Sequence, residues 1–207
     1  MQALFVHGMG RSPASWWPTL ARFKRAGIAA RTFGYAVTLE DFDSIVRRLT
    51  HRLEAIAAQG DYVVVGHSLG GVLLRAAINA MHRNVPRPAH LFLVGSPVRP
   101  SRLARHLAGN LLFQALARDC GNLLGSEARM AGIGPIPVPT TAIIGVAGLA
   151  LMRAHFGNEP NDGVVSLGEC EPHWPHEQVH LAVAHTVMPA SRRVAELILD
   201  RIPTRSA

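Results

Sequence analysis

Tyr62-Val63-Val64-Val65-Gly66-His67-Ser68-Leu69-Gly70-Gly71-Val72-Leu73-Leu74 is the stretch on which the fold turns. Tyr62–Val65 is continuously apolar, as a strand buried on both faces must be. Val72–Met81 reads as an apolar helix. The joint between them, Gly66-His67-Ser68-Leu69-Gly70, has the spacing G-x-S-x-G. A chain that turns sharply from strand to helix holds the intervening serine in a strained backbone conformation. Only small residues fit two positions to either side of it. Gly66 and Gly70 meet that demand, and Gly71 lets the helix lie close to the neighbouring strand. The turn lifts Ser68 Oγ above the sheet edge, at a helix N-terminus whose dipole favours a developing anion. Ser68 is the candidate nucleophile.

Working outward, short apolar runs alternate with longer amphipathic ones. The strand candidates are Ala3–His7, Ala30–Tyr35, Tyr62–Gly66, His90–Gly95, Thr141–Val146 and Gln178–Val183. The helix candidates are Ala14–Ala26, Leu39–Gln59, Gly70–His82 and Ser191–Ile202. In the second, Phe42, Ile45, Val46, Leu49, Leu53 and Ile56 form one apolar face. The alternation implies an α/β fold, a mostly parallel six-stranded sheet with helices on both faces. No repeat or low-complexity linker interrupts it, so residues 1–207 read as a single domain. Residues 96–139 break the rhythm and read as a lid or an extended crossover, helical over Leu103–Leu116 and extended over Ala131–Pro139.

A serine nucleophile requires a base, and the base requires an orienting carboxylate. Asp162 lies on the Asn161-Asp162-Gly163 turn just past a strand, where a carboxylate can reach inward. Asp61 precedes the Ser68 strand at its opposite end, and Glu159 lacks the turn. An isolated Asn-Asp-Gly aspartate more often has only a turn role. Of the 11 histidines, His185 follows the last strand on the same sheet edge as Ser68. His7 and His67 sit inside glycine motifs and suit loop support; His176 and His180 fall at the wrong strand end. His7-Gly8-Met9-Gly10 can aim the Met9 amide at the point faced by the Leu69 amide, a two-donor oxyanion hole. The rival chemistry is zinc: Cys170, His173, His176 and His180 have ligand-like spacing, but Trp174-Pro175 and the overlapping strand disfavour a closed site.

Composition narrows the class. The 207 residues carry 21 Lys+Arg against 14 Asp+Glu, a formal net charge of +7. Such a charge suggests nucleic acid or an anionic surface. Yet only Lys24 is a lysine, the arginines are dispersed, and no aromatic ladder accompanies them. Arg99, Arg102, Arg105 and His106 form the densest cluster, suited to an anionic ligand or peripheral membrane contact. Two cysteines are too few for a disulfide framework. No signal-like segment opens the chain, and no apolar run is long enough to span a bilayer, so a cytoplasmic location is expected.

Phe5-Val6-His7-Gly8-Met9-Gly10, Gly66–Gly71, Asn161–Ser166 and Ala184-His185-Thr186-Val187-Met188 together resemble the α/β-hydrolase superfamily, specifically its small bacterial lipase- or esterase-like members. The resemblance implies a minimal six-stranded α/β-hydrolase fold lacking the first two strands of the full sheet. It implies the chain order nucleophile Ser68, acid Asp162, base His185, with Met9 and Leu69 supplying oxyanion donors and no cofactor. It also implies a small ester or lipid-like substrate. Trp16, Trp17, Phe113, Leu111-Leu112 and Val146–Met152 are candidates to line an acyl pocket. Acyltransferase, thioesterase or amidase chemistry would use the same triad. A non-catalytic binding protein on this fold is the reading from a different class.

Overall fold

The computed structural model describes residues 1–148, 153–174 and 176–202. The strands are β1 (Gln2–Val6), β2 (Ala29–Phe33), β3 (Tyr62–His67), β4 (His90–Val94), β5 (Thr140–Gly145) and β6 (Glu177–Leu181). They form one six-stranded sheet in the order β2-β1-β3-β4-β5-β6. Every pairing is parallel, with Phe5 opposite Val65 and Val65 opposite Phe92. All six expected strands are found, each within two residues at either end.

Alternation along the central strands sorts side chains onto two faces. Leu4, Val6, Val64, Leu91 and Leu93 point into a core shared with α2 (Phe42–Ala57) and α3 (Leu69–Ala80). Ala3, Phe5, Val63, Val65, Phe92 and Val94 point the other way, toward α1 (Trp17–Arg25) and α9 (Arg192–Leu199). There Trp16 and Phe23 pack on Phe5 with ring centroids 4.9 and 5.0 Å away. Neighbouring side chains diverge, so Trp16 is fully buried while Trp17 is 75% exposed. No helix among the described residues is long and apolar enough to cross a membrane.

Residues 96–139 contain more helix than the sequence suggests. They form α4 (Arg102–Leu107), α5 (Leu111–Gly125) and α6 (Glu127–Ile133), capped by Ser101, Asn110 and Ser126 respectively. Each cap accepts a backbone N–H from three residues on, satisfying a donor the helix start leaves unpaired. The segment expected to be extended from Ala131 therefore begins inside α6. Arg118, with φ +44°, kinks α5 midway. Two short helices, α7 (Arg153–Phe156) and α8 (Leu167–Cys170), follow β5. The Val146–Met152 candidate lies partly outside the described residues.

Candidate active site

The site is built at the C-terminal ends of β1, β3, β4 and β5. Ser68 occupies the N-cap position of α3 with φ +52° and ψ −124°. With Arg118 it is one of two non-glycine residues of positive φ among the described residues. Such a conformation costs about 1–3 kcal/mol and survives only where the surroundings impose it. Here they do. The Ser68 amide donates to Val94 O at 3.0 Å. A methyl on Gly66 would lie 2.5 Å from Gly71 N, and one on Gly71 would lie 2.6 Å from Ser96 Cβ. The glycines are demanded by close approach of strand and helix, as the sequence argument required.

Asp162 and His185, 23 residues apart, form a buried pair. His185 Nδ1 lies 2.6 Å from Asp162 Oδ2. The other carboxylate oxygen, Oδ1, accepts from the amides of Val164 (3.0 Å) and Val165 (2.9 Å). The backbone repeats the link, since His185 N–H donates to Asp162 O at 2.9 Å. A carboxylate is an acceptor only, so the hydrogen-bond network assigns the proton to His185 Nδ1 and leaves Nε2 as the basic nitrogen. Neither Nε2 nor Ser68 Oγ has a protein partner among the described residues. Glycines make room for the pair at two strand ends. A methyl on Gly95, just after β4, would lie 3.0 Å from Asp162 Oδ2 and 3.1 Å from His185 Nδ1. One on Gly145, at the end of β5, would lie 2.7 Å from Asp162 Cβ.

The loop after β1 is held by His7 and Tyr35, whose rings stack at 4.3 Å, 4° from parallel. His7 Nδ1–H is placed to donate to Gly8 O at 2.9 Å, and the Tyr35 hydroxyl donates to His7 O at 2.8 Å. Burial keeps the His7 imidazole below its ordinary pKa, against the Gly8 carbonyl, which favours the charged form. The loop lies on the elbow, since a methyl on Gly8 would sit 3.0 Å from Ser68 Cβ. The Met9 and Leu69 amides donate to no backbone carbonyl among the described residues. Leu69 opens α3, where the first amides of any helix lack an internal partner.

The competing residues are engaged elsewhere. Glu159 accepts from Arg102 and from Gly168 N. Burial works against its ionised form, but those bonds hold its carboxyl below the usual range. Arg102 also donates to Ser166 Oγ at 2.6 Å, and its own amide donates to the buried Glu169 carboxylate. Of the four cations in the Arg99–His106 cluster, Arg102 is therefore engaged within the protein. His176 bonds Trp174 O and Gln178, and His180 bonds Gln178. Burial pushes the Cys170 thiol well up, away from the thiolate a metal needs. Among the described residues no group of three His, Cys, Asp or Glu is placed to hold a metal ion. The Arg102–Glu169 clamp was missed in the sequence. Its signal was Ser166-Leu167-Gly168-Glu169, a capping box in which Ser166 and Glu169 satisfy each other's backbone amides.

A model of the alpha/beta hydrolase family matches residues 3–203. The chain belongs to the alpha/beta hydrolase family. Among solved members of similar fold is the mature lipase BlEst2 of Bacillus licheniformis, 17% identical, TM-score 0.78, with 96% of this chain and 90% of that one covered. Another is the RedJ thioesterase of the Streptomyces coelicolor prodiginine pathway, 18% identical, TM-score 0.63, covering 96% and 84%. A pyrethroid hydrolase of Sphingobium faniae JZ-2 is 15% identical, TM-score 0.60, covering 97% and 96%. At such identities these alpha/beta hydrolases share the fold with this chain. No curated protein sequence matches it.

Proposed function

We propose that this alpha/beta hydrolase cleaves carboxylic esters through an acyl-enzyme on Ser68. The observation that carries the reading is the 2.6 Å contact between His185 Nδ1 and the doubly amide-held Asp162, on the sheet edge that bears the strained Ser68. Ser68 Oγ attacks the ester carbonyl as His185 Nε2 takes its proton, and Asp162 stays ionised to hold the resulting imidazolium. The Met9 and Leu69 amides receive the developing oxyanion. His185 then returns the proton to the leaving alkoxide. Water, activated by the same imidazole, attacks the acyl carbonyl, and Ser68 is released as the carboxylic acid departs.

A fluorophosphonate probe tests the reading, because it phosphonylates only an activated serine. Covalent labelling of wild type at Ser68, absent in Ser68→Ala, supports it. Folded wild type that neither labels nor turns over p-nitrophenyl esters refutes it. A series of acyl esters, thioesters and anilides of increasing chain length then defines the acceptor and the acyl group.

A further inference from the structure

His67, the residue before the proposed nucleophile, lies against both His185 and the loop after β1. It ends β3 and is buried, 1% exposed. Its Nε2 lies 3.1 Å from the carbonyl oxygen of His185. The two rings sit with centroids 4.6 Å apart and planes tilted by 45°. Its Nδ1 has no protein partner among the described residues, so the proton belongs on Nε2, facing that carbonyl. The same Nδ1 faces the loop after β1, since a methyl on Gly8 would come within 2.9 Å of it. Trp16 closes the remaining side, edge-on at 6.4 Å.

We propose that His67 is a positioning residue: its Nε2–H grips the His185 carbonyl and sets the base loop over Ser68, while its ring sets the height of the Gly8–Met9 loop. This rests on the reading of Ser68, Asp162 and His185 as the catalytic set. Asp162 holds His185 at Nδ1 and at its backbone N–H, which leaves the ring a swing about the Nδ1 contact. His67 adds a grip on the backbone carbonyl and a ring packed 4.6 Å from that of His185, and together they limit this swing. An imidazole suits the position because it offers one donor on a flat body of the right depth. It also stays neutral there, held well below its ordinary pKa by burial first and by the neighbouring His185 second. A lysine or arginine in its place would oppose the positive charge that His185 gains during turnover.

The experiment compares His67→Phe, which keeps a flat ring but no donor, with His67→Gln, whose amide reaches as far as Nε2. Turnover of p-nitrophenyl butyrate is followed across pH, with labelling rate and melting temperature measured in parallel. The expected result for H67F is a kcat loss of roughly 10²-fold, typical of a reactive group displaced by about 1 Å, with KM changed less than about threefold. Its acidic pH limb should move, because the base sits in a changed position. H67Q should recover at least about a tenth of wild-type kcat and the wild-type pH profile. Should H67F fail to fold, His67→Asn, with an amide one methylene shorter, replaces it and should show the same loss. Active wild type with H67F or H67N equal to it, or with H67Q as impaired as they are, overturns this inference alone. Wild type inert to fluorophosphonate overturns the functional reading and takes this inference with it.

Discussion

Gly70→Ala tests fold and site in one substitution. Gly70 lies in the first turn of α3, and its missing side chain is where α3 meets the end of β1. An added methyl would sit 2.6 Å from His7 O and 2.8 Å from Val6 C, with Val6 O nearer still. All three are backbone atoms, two of them in Val6, the last residue of a strand paired on both edges, and one in His7, which follows it, so none can rotate aside as a side chain could. Restoring the 3.4 Å at which ordinary contact begins requires helix and strand to part by about 1 Å, the amount set by Val6 O. Overpacking of this kind costs about 3 kcal/mol, the upper end of the usual range, and alanine's better helix propensity returns less than about 1. The net loss of roughly 2–3 kcal/mol lowers the melting temperature by about 4–12 °C in a chain of this length. The parting also moves the Leu69 amide and the His7–Met9 loop away from each other, so kcat should fall by about 10²-fold. Gly132→Ala, in α6 with nothing within 4 Å, is the control and should raise stability by about 0.5–1 kcal/mol. Calorimetry and ester turnover read both effects. Gly70→Ala melting within a degree of wild type would refute the packing argument, and a destabilised variant of unchanged kcat would refute its extension to the site.

Asp162→Asn keeps the side chain's shape but offers His185 Nδ1–H a poorer partner, so kcat should drop about 10⁴-fold with KM little changed. Retention of a tenth of the activity would move the acid role elsewhere. Glu169→Ala removes the acceptor used by the amides of Ser166 and Arg102. Orphaning those donors should cost about 2–3 kcal/mol in urea unfolding, and an unchanged midpoint would show the clamp to be idle. Burial holds His7, His67 and His90 below 6.5, the ordinary value. On acidification the unfolded chain therefore binds protons at these rings before the folded one does, and stability must fall as pH drops from about 7 to 5. Each ring contributes a slope of up to about 1.4 kcal/mol per pH unit, and His67→Gln should remove one of the three shares. Equal unfolding free energies at pH 7.5 and 5.5 would contradict this.

The strands and the elbow were legible because each is dictated by a strong local constraint. A strand covered on both faces admits only apolar residues, and the Ser68 turn admits only glycine where helix meets strand. Asp162 and His185 were legible at one remove, through the strand ends they follow, and the structure hydrogen-bonds them to each other. The start of α2 shows the limit of periodicity. Leu39 continues the apolar rhythm of the helix, yet it stands 83% exposed in a turn, because Asp41 caps the chain by accepting from Ser44 N. Within residues 96–139 helix was legible only over Leu103–Leu116, which left the second half of α5 and all of α6 unseen, for a related reason. α4 and α6 are too short for a sustained apolar face and the kink at Arg118 interrupts that of α5, so the caps Ser101, Asn110 and Ser126 are the clearest marks of where they start. The grip of His67 on the His185 carbonyl joins residues 118 apart. Spacing carries no trace of such a bond, since a backbone carbonyl leaves no mark on residue identity.

The anchors of residues 96–139 bear on how any part of that stretch can act over the site. At its start, the amides of Val98 and Arg99 both donate to Glu169 O, and Arg102 grips Glu159, Ser166 and Glu169. Those partners, Glu159, Ser166 and Glu169, flank Asp162 along the chain, so swinging the start of the stretch away would loosen the Asp162 segment. At its end, Asn79 and the buried Arg75 of α3 donate to the carbonyls of Ile133 and Gly134. In the middle, Asp119 accepts from Phe42 N and pairs with Arg129, and Arg118 donates to Thr38 O at the kink of α5. Between the Arg102 clamp and that kink lies a short arm, residues 103–117, whose Leu111, Leu112 and Leu116 face solvent. Movement of that arm alone leaves the Asp162 loop and the floor under Ser68 in place. Movement that also frees Arg102 must break its ion pairs with Glu159 and Glu169 and so loosen the segment that carries Asp162.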